Sequence, residues 1–228
     1  MSKKKIVVLS GAGISAESGI STFRDSDGLW ENYDVQEVAS IDGWYRNPDL
    51  MTKFYNERRA ELEHTQPNEA HKLVAALEEY YRVTVVTQNI DDLHERGGSH
   101  HIIHLHGEAT KACSENGKKF VQDIGYRPIA NDEKAPDGAR LRPFIVWFGE
   151  AVPMMDAAVR EIEDADIVII IGTSLNVYPA AGLLYYAPNN AEIYVIDPKE
   201  VQPISRHVHF IKEKATVGMR LLFDQLTR

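Results

Sequence analysis

The chain reads as an α/β protein built on a doubly wound parallel sheet, with a smaller second domain set into it. Three observations carry that reading. Short aliphatic runs recur at 4–9, 83–87, 102–105, 144–148, 167–171 and 192–196, separated by segments of helical pattern. These runs lack the period of two of a half-exposed strand, as expected when helices cover both faces of a sheet. Each run also ends in small or chemically capable residues: Gly, Ser, Thr, Asn, Gln, Asp, His or Glu. In an open parallel sheet, ligands bind in the crevice at the carboxyl ends of the strands. One polar strand end is noise, but six predict a crevice.

The whole chain bounds the possibilities. Its 228 residues suffice for one sizeable core with a small insertion, and 43% hydrophobic with 26% charged residues is ordinary globular composition. A formal charge of -9 argues against nucleic acid as the main ligand. The basic run at 3–5 is followed by no apolar stretch of signal-peptide length, and the run at 167–171 is far too short to span a bilayer. A single cysteine, Cys113, excludes an internal disulfide and a cysteine-rich metal site. These features predict a cytoplasmic protein without membrane contacts, here taken as a monomer.

Taken in order, the run at 4–9 closes on Ser10 and feeds GAGISAESG, a strand followed by glycines and a helix start at 15–18. Small residues there let backbone N–H groups approach a pyrophosphate closely. The spacing departs from G-x-G-x-x-G, since Gly13 is followed only by Gly19, so a tight structural turn is an equal reading. The segment 20–30, ISTFRDSDGLW, is long for a connection in a compact domain, and such loops are usually functional. Phe23 and Arg24 within it suit a cofactor lid better than a solvated surface. Residues 35–71 look helical, with Pro48 at a helix start and Pro67 at a boundary. Tyr55 and Arg58 lie three apart and share a helical face; spacing alone makes Arg58 a surface group. A helix over 69–81 covers the sheet.

The stretch VTVVTQNIDDLHERGGSHHIIHLHGE over 83–108 is the chemical centre. One strand delivers Gln88, Asn89 and Asp91, and the next delivers His106 before Gly107. The segment 109–143 changes character, rich in Lys, Asp, Gly and Asn, and reads as an excursion of short strands or poor packing. FIVWF over 144–148 restores a buried strand and ends in Gly149 and Glu150. A helix over 154–164 precedes the most hydrophobic strand, which closes on Gly172, Thr173 and Ser174. EIYVI over 192–196 ends in Asp197, placed to accept from an adenosine ribose. A helix over 214–225 closes the chain.

Five motifs, GAGISAESGISTFR, TQNIDDLHERGG, HLHGE, FIVWFGE and GTSLNVYPA, stand in the order of a sirtuin. The chain closely resembles that family of NAD-dependent protein-lysine deacylases over nearly its whole length. The resemblance implies a Rossmann-like NAD-binding core over about 1–30, 82–108 and 144–228. It implies a small domain made of a helical insertion over about 31–81 and a degenerate zinc module over 109–143. NAD would be held by Gly11, Ala12, Ala16, Gly172, Thr173, Ser174, Asp197 and Ala215, with Phe23 and Arg24 in a mobile loop. Gln88, Asn89 and Asp91 would position nicotinamide and its ribose, with Asn89 and Asp91 also catalytic, and His106 would be the general base. The acyl oxygen of a modified lysine would attack the ribose carbon as nicotinamide leaves. His106 would then help a ribose hydroxyl attack the resulting alkylimidate, and water would release free lysine and O-acyl-ADP-ribose. Val146, Phe148, Gly149 and Glu150, with Asn176, Val177 and Tyr178, would flank an acylated-lysine peptide added as a strand.

The segment VASIDGWYRNPDLMTKFYNERR is similar to the sirtuin branch that removes short acidic acyl groups. By that likeness Tyr55 and Arg58 bind the distal carboxylate of a succinyl or malonyl group, with Ala39 leaving room. Guanidinium suits a carboxylate because its fixed fork donates two parallel hydrogen bonds. The chain departs from the family twice. It lacks the paired zinc cysteines, carrying only Cys113 in that region, so no metal is expected. It also has Asp197 where asparagine is commoner, which favours NAD over a 2′-phosphorylated cofactor. Two rival functions stay open at this level: an ADP-ribosyltransferase or NAD hydrolase, and a non-catalytic NAD or ADP-ribose sensor.

Overall fold

The computed structural model describes residues 3–20, 33–173, 180–199 and 208–228. The strands are β1 (Lys5–Ser10), β2 (Arg82–Thr87), β3 (Ile102–His104), β4 (Gly107–Ser114), β5 (Gln122–Asp123), β6 (Leu141–Ile145), β7 (Ile167–Ile171), β8 (Glu192–Ile196) and β9 (His209–Ile211). The α-helices are α1 (Val35–Val38), α2 (Ile41–Arg46), α3 (Pro48–His64), α4 (Glu69–Ala76), α5 (Leu93–Arg96), α6 (Met155–Ile162) and α7 (Ala215–Leu226).

Six strands form one parallel sheet in the order β3-β2-β1-β7-β8-β9. The chain moves outward from β1 to β3, then returns to the other side of β1 with β7. The order therefore reverses between β1 and β7, and a doubly wound sheet opens its ligand crevice at that point. Alternate residues of each strand face opposite layers. Ile6, Val8, Val85 and Ile169 pack with Leu73 of α4 and with Met219 and Leu222 of α7. Val7, Leu9, Val168 and Ile170 pack with Ala158 and Ile162 of α6 and with Leu183. Both faces are dry, which is why the period of two is hidden in the sequence.

Three sequence expectations are corrected. The run at 144–148 does not join the parallel sheet: β6 ends at Ile145 and pairs antiparallel with β4. It is apolar because Ile145 and Trp147 pack into a separate core with Trp44, Met51 and Phe54. The sixth parallel strand is β9, whose pattern is too exposed to signal itself. The expected helix start at 15–18 is a pair of 3-10 turns, Ala12–Ile14 and Ala16–Ser18, the second closed by Gly19 in the left-handed region at φ 91°.

β5, β4 and β6 form a second, antiparallel sheet over its own core of Ala112, Ile124, Ile129, Ala135 and Leu141. The expected short strands are there, but the packing is not poor. Polar contacts fasten this module to the helices. Asn56 of α3 donates to the Ile129 carbonyl at 2.9 Å and accepts from the Ile129 N–H at 2.9 Å. The buried Arg59 donates to the Ala109 carbonyl at 2.7 Å and to Asn56 Oδ1 at 2.9 Å. Tyr126 donates to Asp92, and Arg140 pairs with Asp49. Cys113 is buried in β4, and burial pushes its thiol up to about 11. Among the described residues, no helix is long and apolar enough to cross a membrane.

Candidate active site

The carboxyl ends of β1, β2, β7 and β8 open onto one cavity of about 740 Å³. Its floor is built by two interlocked turns. Gly172, at φ 64°, packs so tightly on the β1 turn that a Cβ there would lie 2.2 Å from the Ile14 nitrogen. Gly13 N–H donates to the Gly172 carbonyl at 2.9 Å. Glycine is thus demanded by chain against chain, whatever else binds there. The amides that open the two 3-10 turns have no acceptor within their own turn, and Ala12 and Ala16 both line the cavity.

Next to this floor sits a buried polar cluster centred on Ser15. Its hydroxyl donates to Asp91 Oδ2 at 3.0 Å and receives the Asn89 side-chain amide at 3.2 Å. Asn89 Nδ2 also reaches the Gly11 carbonyl at 3.3 Å. Burial raises the Asp91 carboxyl above its ordinary range, against the lowering pull of the Leu93 N–H and the Ser15 hydroxyl. Beneath lie His71 and His94, their rings edge to face at 5.0 Å. Burial pushes His71 down to about 4 and holds His94 well below its ordinary value. Two neutral imidazoles therefore back the cluster. His104 Nδ1 donates to the Asn89 carbonyl at 3.1 Å, and its Nε2 meets Glu95 at 2.7 Å. Burial lowers the His104 pKa, but Glu95 outweighs it and the net shift is upward.

His106 follows β3 and lines the same cavity. Its Nδ1 donates to the Gln88 carbonyl at 2.9 Å, which fixes the tautomer and leaves Nε2 as the acceptor. Burial lowers its pKa, partly offset by that hydrogen bond. Gln88 in turn donates to Thr173 Oγ1 at 3.1 Å, tying the end of β2 across β1 to the turn after β7. At the far side, Asp197 caps its own turn, accepting from the Lys199 N–H at 2.8 Å, and Ala215 opens α7 nearby.

The other end of the cavity is walled by α3 and by the segment after β6. Tyr55 is 4% exposed, and its hydroxyl accepts from Trp147 Nε1 at 2.9 Å. Arg58 is also largely buried and reaches Glu61 at 3.3 Å. Burial lowers the Arg58 pKa, with Glu61, Tyr55 and Asp91 opposing. Ala39, Val146, Phe148, Gly149 and Glu150 complete this wall. Phe148 is not an open edge: its N–H donates to the Ala39 carbonyl and its carbonyl accepts from the Ile41 N–H, both at 2.9 Å. The Glu150 N–H is likewise engaged, donating to the Trp147 carbonyl at 3.0 Å.

Every described residue named from sequence as a site residue lines this one cavity, Tyr55 and Arg58 included. Phe23, Arg24, Ser174, Asn176, Val177 and Tyr178 lie outside the described residues.

The model of the Sir2 family matches residues 11–179. The chain belongs to the Sir2 family. This Sir2 chain is 54% identical to the NAD-dependent protein deacylase of Bacteroides thetaiotaomicron, with 96% of each chain covered. It is 50% identical to that of Helicobacter pylori, covering 98% of this chain and 97% of the relative. A solved complex of a Sir2 homologue with NAD superposes with a TM-score of 0.88 at 37% identity, covering 98% of this chain and 90% of the other. A Sir2 protein solved with a deacetylated peptide and 3′-O-acetyl ADP-ribose superposes at 0.82 with 28% identity, covering 98% and 94%. Sequence reasoning about the Sir2 site missed Ser15, which it used only as a helix start, and Trp147, which it used only as part of a strand.

Proposed function

We propose that this Sir2 chain is an NAD-dependent protein-lysine deacylase that removes acetyl, succinyl and malonyl groups, releasing nicotinamide, free lysine and O-acyl-ADP-ribose. One observation carries the reading. A single cavity holds an imidazole with its acceptor nitrogen free of the backbone, a buried amide–hydroxyl–carboxylate cluster, and a tyrosine–arginine pair.

The residues fit NAD. The amides of Ala12 and Ala16 and the start of α7 offer N–H donors for the pyrophosphate. Asp197 at the end of β8 offers a carboxylate to the adenosine ribose, as strand-end acids do in dinucleotide sites. Gln88, Asn89 and Asp91 stand between that region and the acyl end. When bound, NAD supplies an electrophilic ribose carbon at the point where nicotinamide departs.

The chain's own groups then divide the work. Asn89, held by Ser15 and the Gly11 carbonyl, and Asp91, held by Ser15 and the Leu93 N–H, orient ribose and nicotinamide without rearranging. His106 takes a ribose hydroxyl proton on Nε2 while Nδ1 stays on the Gln88 carbonyl. A lowered pKa keeps that imidazole neutral and ready as a base. Arg58 and Tyr55 meet the distal carboxylate of a dicarboxylic acyl group, Arg58 by charge and Tyr55 by its hydroxyl. Ala39 leaves room for it. Gly149 and Glu150, together with Asn176, Val177 and Tyr178, flank the peptide main chain, a mode that reads backbone more than side chains.

The same proposal divides the chain into the NAD-binding core and small-domain insertions described above, and makes it a cytoplasmic monomer acting on acylated proteins. Mass spectrometry of one peptide carrying acetyl-, succinyl- or malonyl-lysine, with and without NAD, tests the activity. NAD-dependent loss of the acyl mass is expected. NAD cleavage without acyl loss, or ADP-ribose left on protein, overturns it.

A further inference from the structure

Trp147 is 2% exposed and 92 residues from Tyr55 in sequence, yet its indole N–H ends on the Tyr55 hydroxyl oxygen at 2.9 Å. A phenol that accepts there must turn its own proton elsewhere. Among the described residues the Tyr55 hydroxyl has this donor and no acceptor. Burial also keeps the phenol well above its ordinary pKa, so it stays a neutral O–H donor at working pH.

The indole is itself held firmly. Arg142 lies 3.5 Å from the centroid of the Trp147 ring, and Trp44 stacks on Trp147 at 5.2 Å. Arg142 donates to both carboxylate oxygens of Glu150, at 2.9 and 3.1 Å, and to the Ile145 carbonyl at 2.9 Å. Glu150 closes the circuit by accepting the Trp147 backbone N–H at 2.9 Å. Burial raises the Glu150 pKa, but Arg142 and the Trp147 N–H outweigh it, so the carboxylate stays ionised. The Trp147 indole N–H is thus a fixed donor whose direction does not depend on substrate.

We propose that Trp147 is a specificity-determining positioning residue. By occupying the acceptor side of the Tyr55 hydroxyl, it commits the O–H proton to the cavity, where it meets a ligand acceptor, the distal carboxylate of a dicarboxylic acyl-lysine. An acetyl group presents nothing to that proton. Trp147 therefore biases the site toward acidic acyl groups without touching them. The inference rests on the acyl-pocket reading given above and deepens it.

The test is a double-mutant cycle of Trp147→Phe and Tyr55→Phe, each assayed for KM and kcat on one peptide as acetyl- and as succinyl-lysine. Trp147→Phe is expected to raise KM for the succinyl peptide about 3–10-fold, to leave acetyl KM within about twofold, and to leave kcat unchanged on both, the size of one lost oriented hydrogen bond. In the Tyr55→Phe background it should add nothing, because the hydroxyl it directs is gone. Equal losses on both peptides, or additive losses in the cycle, overturn the proposal. If Trp147→Phe disturbs the melting temperature, Trp147→benzothienylalanine keeps the bicyclic shape and removes only the N–H, and the same two criteria apply. Tyr55→Phe alone separates the levels. Parallel loss of both turnovers from it sinks the acyl pocket itself, and with it this inference. Selective loss there, with an unselective Trp147→Phe, sinks only the role of Trp147.

Discussion

His106 Nδ1 donates to the Gln88 carbonyl at 2.9 Å, so the backbone of one strand end sets the tautomer of the imidazole delivered by the next. The His106 imidazole is therefore oriented by the register of β2 against β3 and not by an acidic side chain. His106→Ala removes the acceptor nitrogen and leaves that backbone intact. It should lower kcat by roughly a hundredfold or more, the usual scale for a general base. NAD affinity by calorimetry should change little.

Burial also lowers the His106 pKa from its ordinary 6.5. The basic form then persists to lower pH than a free imidazole allows. The acid limb of kcat/KM should bend below pH 6.5, with a flat region through neutrality. An acid limb centred above that value would show that another group controls the rate.

Arg58 and Tyr55 make a prediction in substrate space. Arg58→Met keeps a flexible apolar stem and removes the fork of donors. Turnover of a succinyl peptide should fall at least tenfold while an acetyl peptide changes by less than about threefold, since charge-assisted bonds are worth roughly 1.5–3 kcal/mol. Competition between the two peptides in one tube, read by mass, measures the ratio directly.

The buried histidines link acidity to stability. His71, pushed down to about 4, and His94, held well below its ordinary value, stay neutral in the fold but bind protons near pH 6.5 once unfolded. The unfolded chain then holds more protons, so stability falls as pH drops from about 6.5 toward 4. A shift of that size for His71 corresponds to roughly 3 kcal/mol. Asp91, whose pKa is raised, works the other way, gaining stability as pH falls toward its unfolded value near 3.8. His104, also raised, contributes fully below 6.5 and loses its contribution as pH climbs through its folded pKa. Melting temperature measured from pH 7.5 to 4.5 should decline, and His71→Asn should flatten the decline.

The small module gives a fifth test. Asn56→Ala deletes both bonds to Ile129 and one to Arg59. A loss of roughly 2 kcal/mol should lower the melting temperature by about 4–8 °C. Prolonged chelator treatment should leave the wild-type transition where it was, because a lone buried cysteine cannot build the family's thiolate site.

Much of this was readable before folding. β1, β2, β7 and β8 announce themselves as aliphatic runs, and their polar ends name Asn89, Asp91, Thr173 and Asp197. His106 stood out because it precedes a glycine at a strand end. What stayed hidden depends on long-range packing. The run at 144–148 is apolar enough for a central strand, and only the separate core around Trp44 and Trp147 explains why it leaves the sheet. β9 carries His209 and Phe210 exposed at a sheet edge, so no hydrophobic pattern marks it. Ser15 looks like a turn residue until Asn89 and Asp91 converge on it, and Trp147 looks like core until Tyr55 arrives from another segment.

Ala39 and Ile41 grip Phe148 through main-chain bonds, at the bridge that joins Ser40 to Phe148. Such a seam is indifferent to side-chain identity, so replacements along the neighbouring helix face leave it standing. Under the proposed function, descendants of this chain can revise which acyl group is removed while inheriting this seam unchanged. In evolutionary terms that proposal makes the choice of cargo and the address of delivery separately heritable.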